Sequence, residues 1–175
     1  MNSDSRYSTN SAVLDDAPAT YGLPAAPRGH SVARATHRML TVRTSTRLEL
    51  VNLTRQVQDA VKAAQVREGL VLVSSMHTTL ALMVNEWQEA LLSDIKEMLG
   101  NVVPADRQYH HNDPRQSDCD RKNAHSHLQA TLLGHSLSFG VIDGKLSLGQ
   151  FQAIIGAELD GPRERQVSVQ IFSFS

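Results

Sequence analysis

The chain has 175 residues, 41% of them hydrophobic, which is long enough for one domain with a substantial core. Aromatic residues make up only 5%, so that core has to be built from Val, Leu, Ile and Ala. A formal net charge of -1 argues against a nucleic-acid partner and against an anionic-membrane partner, and no apolar run approaches the ~20 residues that span a bilayer.

Residues 1–35 are rich in Ser, Ala, Thr, Asn and Pro and show no sustained periodicity, which predicts a flexible tail ahead of a domain over 36–175. They carry neither the basic start and apolar stretch of a secretory signal nor the acid-poor composition of a transit peptide. Cys119 is the single cysteine and can form no internal disulfide. A soluble cytoplasmic protein is the expectation.

Met39–Thr44 and Arg47–Leu50 read as two short strands. Asn52 or Thr54 then caps a helix in which Val57, Ala60, Val61 and Ala64 recur at helical spacing. Leu70–Val73 is a continuous apolar run suited to a strand buried on both faces, and Leu80–Val84 reads as another strand. A second helix is predicted from about Glu86 to Leu99, with Trp87, Leu91, Ile95 and Met98 as its buried stripe and Gly100 as its C-terminal cap. Residues 101–122 form a polar loop long enough to suggest function, followed by a short helix over 124–133 that ends at Gly134. The remainder reads as strands: Ser136–Ile142 and Lys145–Leu148 around an Asp143-Gly144 hairpin turn, then Gln150–Leu159 and Arg165–Phe174. The pattern predicts a compact α+β domain with a largely antiparallel sheet and two to three helices.

The chemistry concentrates in one window. Five of the eight histidines lie between His77 and His127, alongside Thr78, Thr79, Glu86 and Asp94. Imidazole is the commonest protein metal ligand and titrates near neutrality, and a metal site with one open position commonly uses three protein ligands. His125 and His127 are two apart, so in a helix they point about 200° away from each other and only one of them serves a given site. His77 and His111 come from other segments, which makes a three-imidazole site plausible; His110 can be an exposed loop residue instead. His30, His37 and His135 read as ordinary surface or hydrogen-bonded residues. Glu86 and Asp94, eight apart, can share a helix face. Arg163 and Arg165 are either surface charges after a turn or a phosphate clamp.

Taken together, His77-Thr78-Thr79, Asn85-Glu86, Asp94, Tyr109-His110-His111, Asn123-Ala124-His125-Ser126-His127-Leu128, Leu133-Gly134, Asp143-Gly144-Lys145-Leu146-Ser147-Leu148-Gly149-Gln150-Phe151-Gln152 and Glu158-Leu159-Asp160-Gly161-Pro162-Arg163 resemble the YjbQ family. The resemblance runs from about His37 to the C-terminus. It implies a compact α+β domain, a homotrimer, and a histidine-rich, metal-associated pocket near a subunit boundary. It further implies a weak, secondary thiamine-phosphate synthase, which condenses hydroxymethylpyrimidine diphosphate with thiazole phosphate and releases pyrophosphate.

Carried over residue by residue, it makes His77, His111 and His127 ligands of a divalent metal, zinc among the candidates. It places His77, Glu86 and Asp94 at the chemistry, and Thr78, Glu158, Arg163 and Arg165 against a small phosphorylated metabolite. Gln150 and Phe151 stand where the family usually carries Thr and Trp, which removes a hydroxyl and an indole donor. Two other classes fit the same residues: a non-catalytic metal or small-ligand binding protein, and a metal-dependent hydrolase of a phosphorylated metabolite.

Overall fold

The computed structural model describes residues 34–174. The tail expected over 1–35 and His30 lie outside them, save that Arg34 and Ala35 already belong to the first strand. In chain order the domain runs β1 (Arg34–Arg43), β2 (Glu49–Asn52), α1 (Thr54–Ala63), β3 (Gly69–Ser75), β4 (Leu80–Glu86) and α2 (Glu89–Val102). A single 3-10 turn at His110–Asn112 interrupts the long loop, and α3 (Ala124–Leu133), β5 (Ser136–Ile142), β6 (Lys145–Leu146), β7 (Gln152–Glu158) and β8 (Glu164–Ser173) complete it.

The strands form two antiparallel sheets. The larger has the order β1-β8-β3-β5-β6 and the smaller β2-β7-β4. Between them lies one core, filled from the larger sheet by Val71, Val73, Val167 and Val169, from the smaller by Leu80, Leu82 and Ile154, and from α1 by Val57 and Val61. The opposite face of the smaller sheet, with Ala81, Ile155 and Ala157, packs on Leu92, Ile95 and Leu99 of α2 and Ala130 of α3. The small sheet is therefore buried on both sides. Truncating Ile155 to Ala there would cost about 2–5 kcal/mol, because sheet and helices cannot both close on the gap.

Burial on two faces was expected of Leu70–Val73, and the structure moves that role to β4 and β7. In β3, Val71 and Val73 are fully buried while Leu70 keeps 38% of its surface exposed. A short apolar run carries no information about how many layers will cover it; here only one layer covers the larger sheet.

The second helix also differs from expectation. Glu86 still belongs to β4, and the helix starts after Gln88, whose side chain accepts from the Leu91 N–H at 2.7 Å. Its buried face is Leu92, Ile95 and Leu99, so Trp87 and Met98 remain exposed. Gly100 sits inside the helix and does not end it. The first helix has no side-chain cap. Asn52 accepts from the Thr54 N–H at 3.0 Å, while the Thr54 hydroxyl accepts from the Ile154 N–H at 2.9 Å and so ties the helix start to β7. The hairpin turn forms as expected, with positive φ at both Asp143 (50°) and Gly144 (74°), the geometry that matches strand twist.

Candidate functional site

The C-terminal end of β7 and the turn after it organise the polar centre. Glu158 is wholly buried and receives the Arg165 guanidinium in a two-pronged pair, Nε to Oε2 at 2.5 Å and Nη2 to Oε1 at 2.6 Å. Arg165 Nη2 also donates to the Thr79 hydroxyl at 2.9 Å, and the Asp160 N–H donates to Glu158 Oε1 at 2.8 Å. Such a pair is charge-balanced and uses most of its own donors and acceptors internally. Glu158 and Arg165, expected against a substrate, are thus joined to each other beneath the surface.

Asp160 is a different case. It is 4% exposed, yet three arginines converge on it. Arg121 donates from Nε to Oδ2 at 2.8 Å, Arg47 Nη2 stands 3.8 Å from Oδ1, and Arg163 Nε donates to the main-chain carbonyl at 3.2 Å. Asn123 adds a further donor to Oδ2 at 2.8 Å. Burial by itself raises the Asp160 pKa, but the hydrogen bonds from Arg121 and Asn123 and the charges of Arg121 and Arg47 outweigh it, so the carboxyl titrates below its ordinary value.

The backbone fixes this cluster in place. The Arg163 carbonyl accepts from the Thr44 N–H, the Thr44 hydroxyl accepts from the Arg163 N–H, and the Gly161 N–H donates to the Arg47 carbonyl. A Cβ at position 161 would collide with the Thr46 carbonyl, so only glycine lets the two loops approach this closely.

α3 is attached to the same centre. The Ser126 hydroxyl donates to the Leu159 carbonyl at 2.6 Å, and Asn112 accepts from the Ala124 N–H at 3.0 Å, which ties the 3-10 turn to the helix start. As helical spacing requires, His125 and His127 diverge. His125 is 6% exposed and its Nδ1 is buried with no partner among the described residues. His127 instead meets His111 edge-on, ring centres 5.1 Å apart, where they line a cleft of about 420 Å³ with Tyr109, His110, Ala124 and Leu128. Burial, then the nearby His111 imidazole, holds the His127 pKa below its ordinary value, against the pull of Asp160. His110 lies exposed in the turn, its Nδ1 2.9 Å from Gln116.

His77 occupies a turn between β3 and β4, where the Ser75 hydroxyl bonds both its N–H and its carbonyl. Its Nε2 lies 2.9 Å from the Gln166 N–H and must accept from it. A neutral imidazole has one lone-pair nitrogen and one N–H, so His77 carries its proton on Nδ1 and has no lone pair left for a metal. Protonating it would set two N–H groups against each other. Its pKa is lowered, by burial first and the Arg165 charge second, with Glu158 opposing.

The expected convergence of His77, His111 and His127 does not occur within one chain: the described residues contain no group of three His, Cys, Asp or Glu side chains able to hold a metal ion. Nor do Glu86 and Asp94 share a helix face, since Glu86 ends a strand. Both are exposed, without a side-chain partner among the described residues, and Thr78 is exposed as well. Sequence reasoning missed Arg47, Arg121, Asn123 and Asp160 as a unit. The only local signal was the dense Glu158–Arg163 turn; Arg47 and Arg121 come from loops far away in sequence.

The chain matches the family model described as UPF0047 protein YjbQ-like over residues 38–173. A UPF0047 protein from Methanothermobacter thermautotrophicus is 43% identical over 132 residues, covering 75% of this chain and 88% of the relative. One from Archaeoglobus fulgidus is 44% identical over 131 residues, covering 75% and 97%. Among solved structures, a YbjQ-like protein of unknown function from Sulfolobus solfataricus P2 superposes with a TM-score of 0.75 at 34% identity, covering 81% of this chain and 99% of its own. A hypothetical protein from Aeropyrum pernix K1 gives 0.72 at 34% identity, covering 79% and 98%. With sequence motifs, fold and relatives in agreement, this chain belongs to the YjbQ-like UPF0047 family.

Proposed function

We propose that the protein is a low-activity transferase of the thiamine-phosphate-synthase type, joining hydroxymethylpyrimidine diphosphate to thiazole phosphate with release of pyrophosphate. The observation that carries the reading is the cleft between the long loop and α3: three imidazoles and a phenol beside apolar Ala124 and Leu128, a lining suited to a flat heteroaromatic ring. Arg163, with one nitrogen on the Asp160 carbonyl and its remaining donors without partners among the described residues, is the phosphate contact. His77 acts as a neutral N–H donor to an oxygen on which charge develops, a role its fixed tautomer suits.

The metal expectation fits in part. Two imidazoles on one tetrahedral zinc, with bonds of about 2.0–2.1 Å, bring their ring centres to roughly 5 Å, and His111 and His127 are 5.1 Å apart. His77 does not fit as a third ligand, because its lone pair is already engaged. The pair would hold a divalent metal with water or a neighbouring subunit completing the set, and when bound that metal would supply a positive charge for phosphate oxygens. A homotrimer belongs to the same proposal, supported by exposed Met39, Leu70 and Ile142 on the larger sheet. The assay is formation of thiamine phosphate by purified protein with and without His77→Ala. A binding module would show only ligand-dependent stabilisation, and a hydrolase would release phosphate with no second substrate.

A further inference from the structure

Glu158 and Asp160 are buried two residues apart, and their cation supply is unequal. Glu158 is satisfied by one arginine, Arg165, and the pair cancels. Asp160 draws Arg47, Arg121 and Arg163, which leaves an excess of two positive charges around one carboxylate. A carboxylate needs one guanidinium for a two-pronged pair. Further guanidiniums add mutual repulsion, which an additional anion relieves.

The three arginines are also presented and not merely buried. The side chains of Arg47 and Arg121 keep 53% and 48% of their surface exposed. Arg47 makes only a 3.8 Å ion pair, Arg121 leaves Nη1 without a partner among the described residues, and Arg163 uses Nε alone. Arg47 approaches Oδ1, Arg121 donates to Oδ2 and to the main-chain carbonyl, and Arg163 donates to that same carbonyl, so all three guanidiniums gather around one residue. Backbone bonds between Thr44 and Arg163 and between Gly161 and Arg47 hold the donors in place before any ligand arrives.

We infer that Arg47, Arg121 and Arg163 form a seat for a diphosphate group, with Asp160 as the hub that aims them. Three guanidiniums from three separate segments match the two linked phosphate groups of a diphosphate better than a single phosphate, whose charge of about -1.5 to -2 at pH 7 the two excess charges already balance. The identity of the seated group as the leaving diphosphate of a transfer reaction rests on the transferase reading; the seat itself does not.

The test is calorimetric titration of the full-length protein with inorganic pyrophosphate, and separately with phosphate, at low and high salt. Pyrophosphate should bind at least tenfold more tightly than phosphate. Arg47→Gln and Arg163→Gln should each weaken it tenfold or more at unchanged melting temperature, and binding should fall as salt rises. Arg55→Gln on α1, which removes an exposed ion pair with Asp59, should leave it unchanged. Arg47→Gln is the decisive variant should Arg163→Gln fail to fold, because Arg47 makes no close hydrogen bond to Asp160. Pyrophosphate binding that is absent, or that survives both replacements, overturns the seat even if thiamine phosphate is formed. Arginine-dependent binding without any thiamine-phosphate formation keeps the seat and removes the transferase reading.

Discussion

Replacing Glu158 by Gln isolates what the buried pair contributes. The substitution keeps the shape but removes the charge and sets an NH₂ group among donors, since Arg165 Nε, Arg165 Nη2 and the Asp160 N–H all point at the two oxygens at 2.5–2.8 Å. Arg165 keeps only 6% of its side-chain surface exposed, so water cannot replace the lost partner. Stranding a buried charge in this way costs about 3–5 kcal/mol. At roughly 2–4 °C per kcal/mol for a domain of this size, the melting temperature should drop by about 6–20 °C. Differential scanning calorimetry at pH 7 measures the drop. Glu158→Leu combined with Arg165→Met should recover more than half of the loss, because an apolar pair leaves no charge unpaired. A loss below about 1 kcal/mol for Glu158→Gln, the range of exposed ion pairs, would refute a sealed structural pair and return both residues to the substrate surface.

Asp160 provides a pH signature. Its carboxyl pKa is depressed in the folded state, so its contribution is present above the ordinary aspartate value near 4 and is lost as pH falls through the lowered folded value. The melting-temperature gap between parent and Asp160→Asn should be largest near pH 7 and close below about pH 4; a gap constant across that range contradicts the network. His77 should show a protonated Nδ1 and an unprotonated Nε2 in ¹⁵N spectra of the neutral imidazole, and the opposite tautomer would remove the argument against its ligating a metal. Zinc binding followed by competition with a chromophoric chelator should weaken at least tenfold in His127→Ala and stay unchanged in His77→Ala. Light scattering on a protein starting near Ala35 should report a trimer, and a monodisperse monomer would end that proposal.

Most of the fold can be read from local pattern because local pattern caused it. The Asp143-Gly144 turn demands positive φ twice, and the helical period of α3 alone separates His125 from His127. What could not be read was relational. Nothing in Leu70–Val73 says that a single layer will cover it, and nothing near Trp87 says that Gln88 will take the cap and rotate the buried stripe onto Leu92 and Leu99. The site behaves in the same way. His111 beside His127 follows once the loop and α3 are adjacent, whereas Arg47 and Arg121 look like isolated surface charges until the fold gathers them on Asp160. His77 illustrates a subtler limit: its position after a strand was legible, but the backbone N–H that occupies its lone pair comes from Gln166, 89 residues away.

The central claim, transfer onto a phosphorylated substrate with loss of diphosphate, is tested most directly by incubating the purified full-length protein with hydroxymethylpyrimidine diphosphate and thiazole phosphate and counting both products. Thiamine phosphate and pyrophosphate should form in equal amounts, at a rate per folded protein that falls at least tenfold in His77→Ala. Pyrophosphate release that does not require thiazole phosphate, or no turnover with any divalent metal added, would contradict it.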